Sequence, residues 1–121
     1  SSNNETAVQN VYRADFSVYN DGVLWRNNVG AAVDNNGNFV RFGLANDSKK
    51  ANEKVKSADL IGLKKVLITE EMVGQYIGQF VSREMKRKGG TNRKDERYQA
   101  QLAWATFVNS LGGDAIIVEG K

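Results

Sequence analysis

The chain has no cysteine and no histidine. The first absence removes disulfides, thiolate nucleophiles and cysteine-held structural zinc together. The second removes Ser-His triads, histidine-ligated metals and histidine general bases. Chemistry is left to carboxylates, Lys, Arg, Tyr, amides and hydroxyls. A metal would have oxygen ligands and should be a hard ion, Mg²⁺ or Mn²⁺. No apolar run approaches the roughly 20 residues of a membrane span, so no membrane is expected among the partners. The opening segment, SSNNETAVQ, has no basic stretch followed by an apolar one and does not read as a secretory signal. It has no initiator Met either, and a trimmed native start is expected.

What is present suits one globular domain over residues 1–121. An apolar fraction of 40% and a charged fraction of 26% argue against a disordered chain. The net charge of +3 says little, but its distribution says more. From Arg83 to Arg97, seven basic residues (Arg83, Lys86, Arg87, Lys88, Arg93, Lys94, Arg97) stand against three acidic ones (Glu84, Asp95, Glu96). That local excess is larger than the whole chain's and favours a polyanionic partner. Lys49, Lys50, Lys54 and Lys56 form a second cluster. Solvated loops explain either cluster equally well when it is taken alone.

Periodicity predicts a helix from Asn4 to Phe16, with Val8, Val11, Tyr12 and Phe16 at helical spacing and Asn4 as N-cap. Glu5 and Gln9 share one face of it. A turn at Tyr19–Gly22 leads to a strand at Val23–Asn28. Ala31–Val33 and Phe39–Phe42 flank the hairpin turn Asn35–Asn38. Asn46–Ser57 reads as a loop or short helical turn, Leu60–Ile68 as a strand and Thr69–Gly78 as a connection. Phe80–Lys86 is the next strand. Thr91–Leu111 is the best helix, its apolar face Tyr98, Leu102, Ala105, Phe107, Val108 and Leu111, with Gly112-Gly113 as its stop. Ala115–Val118 closes the chain as an apolar strand. The order implies an α/β fold with a mixed central sheet flanked by helices, α-β-β-β-α-β.

Alternation along the FVSREMK strand puts Glu84 and Lys86 on one face. Asp59 heads the preceding strand, and antiparallel pairing of the two would bring it near them. Two carboxylates converging with a lysine can hold a divalent cation while the lysine orients a water or a phosphate. Spacing alone fits a solvated strand edge as well. Tyr98 and Gln101, on the following helix, could face the same corner. Glu5 sits in a first helical turn, where the helix dipole also favours an anion.

The order Asp59, then Glu84-Met85-Lys86, resembles the D…(D/E)xK core of the restriction-endonuclease-like, PD-(D/E)XK nucleases. More specifically, the chain resembles the virus-type replication-repair nuclease (VRR-NUC) domain in its small stand-alone phage form. The matching segments are Glu5 with Gln9, LWRNNVG (24–30), RFGL (41–44), SADLIG (57–62), VLITEEMVGQ (66–75), FVSREMKR (80–87) and QLAWATFVNSLGGDAIIV (101–118). They occur in order and span nearly the whole chain.

The resemblance implies that Asp59 and Glu84 bind the metal, with the Met85 carbonyl as a further ligand, and that Lys86 is the catalytic lysine. Gln101 matches the family's glutamine beside that lysine. Glu5 matches a first-helix glutamate that completes the metal site in related junction resolvases. Arg26 and Asn28 match a polar pair of the phage form, for DNA contact or for structure. Two features depart from the family: Ala58 stands where many relatives have Pro or Ser, and the 87–97 loop is longer and more charged.

The implied activity is a Mg²⁺- or Mn²⁺-dependent endonuclease that hydrolyses phosphodiesters in branched DNA, such as four-way Holliday junctions. Arg87, Lys88, Arg93 and Lys94 would hold the phosphate backbone without reading sequence. A two-fold symmetric junction implies a homodimer, and the phage form implies the host cytoplasm. A non-catalytic basic nucleic-acid-binding module is the alternative from another class. A structural protein carrying Glu84 and Lys86 as a surface ion pair is a third.

Overall fold

The computed structural model describes residues Ser2–Gly120, the side chains from Asn4 onward. Helices and strands alternate in an α/β arrangement of three α-helices and six strands among these residues. The strands pair as three two-stranded sheets, β1–β4, β2–β3 and β5–β6. They take the place of the single mixed sheet expected from the order of elements. The contacts gather into two compact units.

The first unit comprises helix α1 (Ser2–Tyr19) as far as Phe16 and the segment Val23–Gly62. The helix begins before Asn4, so Asn4 lies inside it and is not its N-cap. Its periodicity is as expected, but the phase is not. Gln9, Arg13 and Phe16 form the half-buried stripe, while Val8, Val11 and Tyr12 are exposed. Hydrogen bonding sets that phase. Arg13 Nε donates to the Leu24 carbonyl at 2.8 Å, and Arg26 Nη2 donates to Asn10 Oδ1 at 2.9 Å. The long Arg13 stem packs while its head satisfies a backbone acceptor.

Strands β1 (Gly22–Arg26) and β4 (Leu60–Lys64) run antiparallel, since Asn27 N donates to Asp59 O at 2.8 Å while Gly62 lies against Val23. A Cβ at position 62 would collide with the Val23 carbonyl, which is why this tight crossing holds a glycine. β2 (Gly30–Val33) and β3 (Phe39–Phe42) form an antiparallel hairpin with Val33 opposite Phe39 and Gly30 opposite Phe42. Its turn uses one residue more than the expected Asn35–Asn38. Asp34 Oδ1 accepts from the backbone N–H of Asn36 at 2.9 Å and of Asn38 at 2.8 Å, and Gly37 supplies φ 81°. Asn46, 4% exposed, closes the open end of the hairpin. Its Nδ2 donates to the carbonyls of Gly30 and Phe42, and its Oδ1 accepts from Arg41 Nη1. The polar stretch after it forms a short helix α2 (Lys49–Lys54), capped by the Ser48 side chain.

The second unit comprises Ser17–Gly22 and Leu63–Lys121 as far as it is described. After β4 the chain makes a single 3-10 turn (Glu70–Met72), so the strand ends at Lys64 instead of Ile68. β5 (Val81–Lys86) pairs in parallel with β6 (Asp114–Glu119), from Val81 opposite Asp114 to Lys86 opposite Glu119. Helix α3 (Glu96–Ser110) is the crossover between them. It starts later than Thr91 because Asn92 and Asp95 turn the chain first. Asn92 Oδ1 accepts from Lys94 N at 3.1 Å, and Asp95 then caps the helix by accepting from Arg97 N at 2.8 Å. Of the expected apolar face, Ala105 and Val108 are buried against Ala115, with Leu63 and Phe80 packed on them. Leu102 and Phe107 of that face are exposed. Asn109 fixes the return into β6, accepting from Ala115 N and donating to the Ala115 carbonyl.

β4 therefore takes β1 as its neighbour and β5 takes β6. The antiparallel β4–β5 ladder expected to carry Asp59 alongside Glu84 is not among the pairings of the described residues.

Candidate active site

The alternation of β5 sorts its side chains as expected. Ser82, Glu84 and Lys86 are half-buried, while Val81, Arg83 and Met85 on the opposite face are exposed. The polar face is the one α3 covers. Gln101 Nε2 donates to Glu84 Oε1 at 2.6 Å, and Lys86 Nζ stands 3.8 Å from the same oxygen. Both neighbours thus lie against one carboxylate oxygen, and among the described residues no hydrogen bond engages Oε2. The Gln101 bond also sets the amide's orientation, because a flipped amide would oppose two acceptors. Its Oε1 is buried and has no hydrogen-bond partner among the described residues. That orphan oxygen can accept a hydrogen bond from an ammonium or from a water.

Trp104, one turn further along α3, donates its indole N–H to Ser82 Oγ at 2.8 Å. Ser82, Glu84, Arg97, Ala100, Gln101 and Trp104 line a cavity of about 360 Å³ together with Arg83. Arg83 itself is tied up structurally. Its Nη2 meets Asp114 Oδ2 at 2.9 Å and its Nη1 donates to the Asp114 carbonyl at 2.6 Å. It bonds the two parallel strands to each other.

No family model, curated protein or solved structure matches the chain.

The basic loop leaves the same strand. Gly90 N bonds back to the Arg87 carbonyl at 2.8 Å, and Gly89 has φ 72°. Glu119, at the end of β6, holds the loop through Gly89 N and Thr91 Oγ1, both at 3.1 Å. Arg87, Lys88, Arg93 and Lys94 are exposed along it. Sequence reasoning treated this loop as charge alone and missed Glu119 as its anchor. A lone acid after an apolar strand carried no signal.

Asp59, Arg26, Asn28 and Glu5 belong to the first unit. Asp59 is exposed at the head of β4, its carbonyl held by Asn27 N. Asn27 is the residue that reasoning from the sequence passed over between Arg26 and Asn28. Its Nδ2 donates to Ser57 Oγ and the Ala58 carbonyl, and its Oδ1 accepts from Leu44 N. It fixes the backbone that presents Asp59. Arg26 bonds Asn10, a structural use of that side chain, and Asn28 is exposed. Glu5 is exposed in the first part of α1. The Met85 side chain is 67% exposed on the far face of β5, so only its carbonyl could serve the site. Among the described residues, no three acidic side chains gather as one metal-holding group.

Glu71 is held below the usual carboxylate range, first by its own backbone N–H and then by the Thr69 side chain.

Proposed function

We propose that the chain is a single-domain, divalent-metal-dependent endonuclease of the VRR-NUC type, with a restriction-endonuclease-like core, acting on branched DNA. The observation that carries the reading is the union of Glu84, Lys86 and Gln101, from two elements, on one carboxylate oxygen. A solvated strand-edge ion pair has no need of a buried amide holding its acid. The donor set suits a hard cation, since Glu84 Oε2 and the neutral amide oxygen are both hard ligands.

Glu84 and the Met85 carbonyl, neighbours on β5, are the groups of this unit that would hold the ion. A bound Mg²⁺ or Mn²⁺ supplies charge neutralisation at the phosphate and a more acidic water. Gln101 keeps Glu84 turned toward its task by occupying Oε1. Lys86 orients the attacking water or stabilises charge developing on the phosphate. Arg87, Lys88, Arg93 and Lys94 grip the backbone by charge, which gives binding with little sequence preference. Arg26 and Asn28 are further candidates for DNA contact. A homodimer would match the two-fold symmetry of a four-way junction, and a phage-encoded chain would act in the host cytoplasm. Among the described residues, no helix is long and apolar enough to cross a membrane.

Cleavage of synthetic four-way, flap, fork and splayed DNA with Mn²⁺ tests this reading. The wild type should cut at least one branched form, and Lys86→Ala should lose most of that activity. Equal cutting by both would remove the role given to Lys86. The exposed basic loop favours one other reading, a non-catalytic nucleic-acid-binding module. That module binds DNA with strong salt dependence and is indifferent to Mn²⁺ and to Glu84→Ala.

A further inference from the structure

Four residues of α3, Arg97, Ala100, Gln101 and Trp104, are spaced as one helical stripe and form one wall of the cavity beside Glu84. Their order is informative. A guanidinium stands at the start of the stripe and an indole at its end, with a methyl group between them. Ala100 keeps the floor open where a longer side chain would fill it. Trp104 is 38% exposed, although the residue next to it, Ala105, is core. Its ring is pinned at the edge by the 2.8 Å bond from Nε1 to Ser82 Oγ, so it is a fixed platform. Arg97 is exposed, and among the described residues its guanidinium has no hydrogen-bond or ion-pair partner. A volume of about 360 Å³ lies within the usual range for small-molecule sites.

A flat apolar wall and a cation a short distance along the same helix face match the base and the phosphate of one nucleotide. We propose that this cavity seats an unpaired nucleotide of the DNA substrate, its base stacked on Trp104 and its phosphate met by Arg97. The seat rests on the nuclease reading above and extends it. It makes an unpaired base next to the junction part of what the site recognises. Stacking tolerates every base, because each presents a π face, so the seat selects DNA structure and not sequence.

Trp25 and Trp104 are the only tryptophans, so Trp25→Phe leaves Trp104 as the sole indole. The experiment titrates that protein, in EDTA to prevent cutting, with a short single-stranded oligothymidylate and with an abasic oligomer of equal length. The base-bearing strand should quench Trp104 emission, and the abasic strand should not. By anisotropy of labelled strands, Trp104→Leu should weaken binding of the base-bearing strand about tenfold, Trp104→Phe far less, and neither should alter binding of the abasic strand. Arg97→Gln should weaken both strands and lower the salt dependence by about one ion. Retention of Mn²⁺-dependent cleavage with equal affinity for the two strands, or unchanged emission at saturation, would overturn the seat alone. Absence of both DNA binding and cleavage would overturn the seat and the nuclease reading together.

Discussion

Gln101 donates from Nε2 to Glu84 Oε1 at 2.6 Å, binding α3 to the acid at the centre of β5. The bond holds one of the two carboxylate oxygens. A charged acceptor makes it stronger than a neutral pair, and the price is a buried amide oxygen without a partner among the described residues.

Gln101→Leu removes both the donor and the orphan oxygen. Stability should change by less than about 1.5 kcal/mol, because the lost bond is offset by the lost orphan. Mn²⁺-dependent cleavage should fall at least tenfold as Glu84 gains rotameric freedom. Urea melts and single-turnover cleavage separate these effects. A loss of stability with cleavage per folded molecule unchanged would make the bond purely structural.

At Gly62 there is no space for a side chain beside the Val23 carbonyl. Gly62→Ala should cost about 1–3 kcal/mol through forced separation of β1 and β4. Chemical denaturation reads the shift. A wild-type midpoint would mean that the strands part freely at this crossing.

Asn46 satisfies two carbonyls and accepts from Arg41 while almost fully buried. Asn46→Ala leaves those carbonyls without their donor and should destabilise the protein by about 2–3 kcal/mol. Asn46→Asp should do no better, since a carboxylate cannot donate to carbonyls. Thermal melts of the two variants check the order.

Glu71 titrates below an ordinary glutamate. A lowered folded pKa means that its contribution is present above the unfolded value and fades as pH falls through the folded one. Thr69→Val should move the Glu71 midpoint up toward the ordinary range without abolishing the shift, because the larger cause is the backbone N–H. A carboxyl-detected NMR titration measures both midpoints.

Much of the candidate site was legible because its signals are local. The alternation that puts Glu84 and Lys86 on one face of β5 is a property of any strand, and it holds here. Gln101 faces the corner of Glu84 and Lys86 because the apolar stripe of Ala105 and Val108 fixes the rotation of α3, and the partner it meets there is the acid. Other features left little trace in the sequence. Asn27 and Asn46 look like ordinary loop amides until their partners, distant in sequence, are in place. The stripe of α1 that packs is chosen by Arg13 reaching Leu24, which hydrophobic periodicity does not register.

The sequence by itself determined the chemistry available, oxygen and nitrogen donors without thiol or imidazole, and the α/β character of the chain, while the six strands and three helices exceed the expected α-β-β-β-α-β order. It also determined the hairpin turn, through Asp34 and Gly37, since turn chemistry depends on neighbours along the chain. Only the tertiary structure decided which strands pair. β5 joined β6 across the α3 crossover, and β4 joined β1. A strand's alternation states which side chains share a face but not which backbone edge it meets. Pairing partners are selected by non-local packing, here the closure of Val108 and Ala115 beneath α3 and the bare backbone of Gly62 against Val23.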